Sequence, residues 1–91
     1  MGERQRSLEF FLETLRLNPD YWPAQYNIAI VHFSSGRYDK AIPRLRTVLD
    51  WKPDYREARQ LLSIAQGESG DRTAADEQLK MLATDDPGIA P

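Results

Sequence analysis

The chain has 91 residues, of which 41% are hydrophobic and 29% charged, with a net charge of −2 and no cysteine. That length holds one domain with a modest core, and the balanced charge supplies neither the basic field of a nucleic-acid binder nor the self-repulsion of a disordered chain. The lack of cysteine removes disulfides, thiol catalysis and cysteine metal sites, and it leaves the redox compartment open.

Five helices are predicted, at 3–17, 22–34, 38–51, 56–68 and 72–84. The first follows Met1-Gly2-Glu3-Arg4-Gln5-Arg6 and places Leu8, Phe11, Leu12 and Leu15 on the stripe of a helix packed on one side. Glu9 and Glu13 interrupt any apolar run, so neither a signal peptide nor a membrane span is read here, and a cytoplasmic location without direct membrane insertion is expected. The second helix starts at Tyr21-Trp22, which serves either as a staple or as an exposed contact. In the third, Leu45, Val48 and Leu49 form the apolar stripe, while Pro43 predicts a late start or a bend, since an internal proline costs about 3 kcal/mol in a regular helix. Trp51 at its end is read as packing between units. The fifth helix is preceded by Asp71, suited to its N-terminus, and followed by Asp85-Asp86, read as a solvated tail.

The punctuation between these helices is periodic. Pro19, Pro53 and Pro87 are 34 residues apart, as are Gly2, Gly36 and Gly70. Prolines just past helix ends stop propagation, and glycines leaving a helix supply positive φ. Other positions keep the phase: Ala24 with Ala58, Ile28-Ala29 with Leu62-Ser63, Ser7 with Ala41 and Ala75, Phe11 with Leu45 and Leu79, and Thr14 with Val48 and Leu82. Small residues recur where helices approach and large apolar ones where they interlock. Self-similarity at this period signals stacked helix pairs, each burying its apolar face against its neighbour.

Ile28-Ala29, Gly36, Ala41, Leu45, Val48 and Pro53, and then Leu62-Ser63, Gly70, Ala75, Leu79, Leu82 and Pro87, resemble the pattern of the tetratricopeptide repeat family. The resemblance covers nearly the whole chain and departs at the start, where Gly2 already holds the mid-unit glycine position. It implies an all-α, right-handed superhelical solenoid of antiparallel helix pairs. The single domain 1–91 then divides into the second helix of a partial repeat at 1–20, full repeats at 21–54 and 55–88, and a tail at 89–91.

In that family the first helix of each repeat lines a concave face, which nominates Tyr26, Asn27, Ile30 and Phe33 from one helix and Glu57, Gln60, Leu61, Ile64 and Glu68 from the next. The spacing agrees independently, because positions 26, 30 and 33 share a helical face distinct from Ala24, Ile28 and Val31. An apolar strip edged by Asn27 and Gln60 suits a peptide or partner segment offering a few apolar anchors. The alternative is that Ile30, Leu61 and Ile64 serve only to pack the two helices. A carboxylate-clamping variant of the family is not expected. Asn27 stands where that variant places an Asn, but Glu57 and Leu61 occupy the phase of its cations.

Catalysis finds no support in the spacing. His32, the lone histidine, falls at a packing phase, Ser34-Ser35 sit in a turn without a base, and no phosphate loop occurs, so no cofactor or metal is expected. Arg44, Arg46, Lys52, Arg56 and Arg59, opposed by Asp50, Asp54 and Glu57, are read as a solvated, salt-bridged face. The two ends of the stack differ. At the last helix Asp76, Ala83 and Asp85 replace larger apolar residues of earlier units, so this end is expected to be capped. The first helix leaves Phe10 and Leu17 on a stripe that Thr14 dilutes. The primary expectation is a non-catalytic protein–protein interaction module working through its groove. The second is self-association, as a homodimer, through Phe10, Thr14 and Leu17.

Overall fold

The computed structural model describes residues 2–85, which form five helices: α1 (Gly2–Leu17), α2 (Trp22–Ser34), α3 (Tyr38–Trp51), α4 (Arg56–Glu68) and α5 (Arg72–Asp85). Among the described residues there is no strand. Each helix packs chiefly on the next in sequence, and α2 also touches α4, so the pairs α2/α3 and α4/α5 lie side by side with α1 at one end. Short connections enforce this order, because turns of three or four residues leave no reach to a distant partner.

The turns have local causes. Gly36 and Gly70 have φ of 74° and 97°, a region that L side chains rarely enter, and they turn the chain between the helices of each pair. Asp71 caps α5, its Oδ1 accepting the amide of Ala74 at 3.2 Å. Pro53 sits in the turn after α3. Pro87, Asp86 and the tail at 89–91 lie outside the described residues.

Pro43 does not delay its helix. α3 begins at Tyr38, with the amides of Lys40 and Ala41 both donating to the Arg37 carbonyl at 3.1 Å. The proline is solvent-exposed, as is Asp39, whose carbonyl it leaves without an intrahelical donor.

The core is a seam between the two helix pairs. Ala29, Ala41, Leu45, Val48, Ala58 and Leu62 are buried together, with Trp22, Tyr26, Phe33 and Tyr55 packed against them. Alanines at 29, 41 and 58 let the backbones approach while the leucines interlock. Trp22, open between two readings from sequence, lies edge-on to Tyr55 at 5.3 Å. Trp51 corrects its expectation: it is the last residue of α3 and stands 55% exposed, beyond the residues that cover Leu45 and Val48.

Candidate functional site

The proposed groove residues fall into three environments. Tyr26, Phe33 and Leu61 are half-buried and anchored on the core seam. Tyr26 lies 4.9 Å from the ring of Tyr55, and burial, with Tyr55 and Glu57 beside it, pushes its phenol up to about 12. Phe33 meets Tyr38 edge-on at 5.3 Å. Glu57, Gln60, Ile30 and Ile64 are exposed. Ile30 and Ile64 hold one phase in successive units, so two β-branched side chains stand in solvent on matching turns of α2 and α4.

Asn27 goes elsewhere. It lines an open depression of about 410 Å³ at the seam of α1 and α2, together with Phe10, Phe11, Thr14, Asn18 and Tyr21. Asn27 and two of the self-association residues, Phe10 and Thr14, therefore share one surface, while Leu17 stands 70% exposed at the end of α1. Phe10 is 66% exposed and edge-on to Phe11 at 5.5 Å.

Ile64 shares a second depression, of about 370 Å³, with Glu68, Asp76 and Leu79 between α4 and α5. This corrects the expected capped end. Leu79 is 54% exposed, whereas Leu45, one unit earlier in the same phase, is completely buried beneath α4. Asp76 lines the same depression as Leu79, one turn before it, so the polar substitution borders a leucine that is left uncovered.

The cationic face is also different from the expected salt-bridged surface. Arg59 is buried, and its guanidinium donates to the Pro53 carbonyl at 2.8 Å, to Gln78 Oε1 at 2.9 Å and to Met81 Sδ at 3.2 Å. Arg56 donates to the Leu82 carbonyl at 3.0 Å and Arg44 to Gln25 Oε1 at 2.9 Å. Of the five cations only Lys52 pairs with an acid among the described residues, reaching Asp54 at 3.3 Å. These arginines bind helix to helix, and the signal that could have revealed them is the exchange of Arg and Gln between equivalent positions of the two units.

His32 is half-buried, and burial followed by Lys40, Arg44 and Arg37 holds its imidazole below the ordinary histidine range. No nucleophile stands beside it with a hydrogen bond among the described residues. The described residues contain no cluster of three histidine, aspartate or glutamate side chains suited to a metal, and no helix long and apolar enough to cross a membrane.

The tetratricopeptide repeat family matches residues 1–62 and again residues 32–90. Photosystem I assembly protein Ycf3 of Cyanophora paradoxa is 30% identical over 83 residues, covering 88% of this chain and 48% of that protein. Two crystal structures of MamA superpose with TM-scores of 0.85 and 0.84, each at 28% identity, over 91% of this chain and 48% and 45% of theirs. The chain spans about half the length of these relatives.

Proposed function

This chain belongs to the tetratricopeptide repeat family, and we propose that it is a non-catalytic protein–protein interaction module that holds a peptide or partner segment along its concave face. The observation carrying this reading is the exposed pair Ile30 and Ile64, repeated at one phase of α2 and α4, with the anchored rings of Tyr26 and Phe33 one turn either side of Ile30. Rigid aromatic walls beside exposed aliphatic side chains supply apolar contact area at low entropic cost, and the exposed Gln60 beside them offers an amide to a bound backbone. The relative whose name records assembly of photosystem I supports a scaffold or assembly role of this kind.

A peptide-display selection against the chain tests the reading. Selected peptides should lose binding to the Ile30→Glu, Ile64→Glu variant, by at least about tenfold, while its circular dichroism stays helical. Peptides that bind the double variant unchanged place the site away from the groove.

A second reading is self-association through α1, favoured by the exposure of Phe10 and Leu17 two turns apart along one side of the helix. In that case Phe10→Glu and Leu17→Glu lower the mass in solution without altering the groove.

A further inference from the structure

The interior of the stack shows what the α4/α5 face is shaped to receive. Ala29, Ala41 and Leu45 of α2 and α3 form a seat that is fully buried under α4. One unit later the same phase presents Ser63, Ala75 and Leu79, and there Leu79 and Ile64 are half exposed. The seat is repeated in part: Ser63 and Ala75 are buried between α4 and α5, and no helix of the described residues covers Leu79 or Ile64 beside them.

The repetition is imperfect in a way that sets what fits. The aromatic pair Phe33 and Tyr38, which closes one side of the interior seat, is replaced by Gly67 and Arg72. A Cβ placed on Gly67 would meet only Ala75 Cβ, at 3.9 Å, so the glycine leaves a notch open beside Ile64 and Leu79. Glu68 and Asp76 stand on the rim, with Arg72 as the single cation, and none of the three is in an ion pair among the described residues.

At the opposite end α1 carries the complement. Phe10 and Leu17 project two turns apart on one face, and Arg6 lies one turn before Phe10. Arg4 and Arg6 are likewise outside any ion pair among the described residues, whereas Glu13 is already engaged by Arg16. A ring for the notch and, in Arg6, a cation for an acidic rim therefore sit on the same chain as the face that lacks them, while Arg4 lines the other side of α1 beside Leu8 and His32.

We propose that a second copy of this chain occupies the α4/α5 face, seating Phe10 of its α1 in the notch beside Gly67 with Arg6 against Glu68 and Asp76, so that copies stack head to tail. The proposal rests on the self-association reading and adds the receiving surface. Because the two faces differ, the contact is heterologous and extends beyond a dimer unless the rotation closes a ring.

Light scattering after size exclusion, on the full chain over a wide concentration range, separates the arrangements. Wild-type chain should exceed about 21 kDa, twice its 10.5 kDa, as concentration rises. Phe10→Glu and Leu79→Glu should each be monomeric with helical circular dichroism, since both side chains are already in solvent. Mixed in equal amounts they should form a two-chain complex that grows no further, because one variant keeps an intact tail face and the other an intact head. If Leu79→Glu still self-associates while Phe10→Glu does not, head-to-tail stacking is overturned and a symmetric α1 contact stands. Wild-type chain that stays monomeric throughout overturns both.

Discussion

Arg59 donates a guanidinium N–H to Oε1 of Gln78 at 2.9 Å, and the preceding unit makes the same bond with the residue types exchanged, Arg44 to Gln25 at 2.9 Å. Gln25 and Arg59 share one phase of the repeat, and Arg44 and Gln78 share another. Each helix pair is thus fastened by one Arg–Gln bond whose polarity alternates. Arg59 makes the larger contribution, since its buried guanidinium also holds the Pro53 carbonyl. Arg59→Gln should cost about 1.5–3 kcal/mol in urea denaturation, the range for hydrogen bonds to a charged group. The reciprocal double variant Arg59→Gln, Gln78→Arg rebuilds the arrangement of the earlier unit and should recover part of that loss. No recovery would mean that the Pro53 carbonyl, and not Gln78, is the important acceptor.

Tyr55 takes two rings of the preceding unit, Trp22 at 5.3 Å and Tyr26 at 4.9 Å, and so carries much of the contact between α2 and α4. Tyr55→Ala should destabilise the fold by about 2–3 kcal/mol, less than a fully buried aromatic because one side of Tyr55 is open. The same packing raises Tyr26 to about 12. The neutral phenol is favoured in the folded state, so its contribution is complete below the unfolded value near 10 and is lost as pH rises through about 12. Ultraviolet titration of ionising tyrosines should show one late step that disappears in Tyr26→Phe.

How far the sequence foretold the molecule depends on where the determining contacts lie. Helix limits were legible because Pro53, Gly36 and Gly70 act on their own backbone and the apolar stripes agree with them. The openness of Leu79 was not, because its exposure depends on whether a helix lies over it, and residue 79 itself reads the same as the buried Leu45. Arg59 was misjudged for a related reason. Charges near it in sequence suggest ion pairs, yet its bond to Gln78 spans 19 residues and is neutral on one side. The shared face of positions 26, 30 and 33 follows from helical spacing, but Asn27 lies at the seam with α1, which depends on how α1 docks rather than on α2 alone.

Leu45 and Leu79 allow the value of one covering helix to be measured. Leu45→Ala opens a cavity in the buried seam and should cost about 2–5 kcal/mol, while Leu79→Ala in monomeric chain should cost under about 1 kcal/mol. Equal losses would show that α5 is covered in solution. Measuring both at low protein concentration keeps association out of the comparison.

His32 predicts the acid response. Its imidazole lies below the ordinary range because burial and then Lys40, Arg44 and Arg37 disfavour the charged form. The unfolded chain therefore binds a proton more readily than the folded one, so the stability that neutral His32 contributes is present above about pH 6.5 and falls as pH drops through the depressed folded value. Gln occupies the equivalent position 66 of the next unit, where it is buried with its side-chain oxygen unpartnered among the described residues. His32→Gln should flatten the change in urea midpoint between about pH 7 and pH 5. An undiminished slope would assign the acid response to carboxylates instead.

Pro43 sets two effects of similar size against each other. It lies at the sixth position of α3, removes the bond to the Asp39 carbonyl and, in a regular helix, costs about 3 kcal/mol. Exposure of that carbonyl to water reduces the penalty, since an unpaired group in solvent keeps its hydrogen bond. The ring also lines a depression with Leu8, Leu12 and His32, where it adds apolar surface between α1 and α3. The backbone term is the larger, because the depression is open and the proline itself exposed. Pro43→Ala should therefore stabilise the chain by about 1–2 kcal/mol, read as a higher urea midpoint at unchanged slope. A lower midpoint would reverse the order of the two effects and make Pro43 the residue that holds α1 on the stack, in which case Leu8→Ala in the Pro43→Ala background should cost little more.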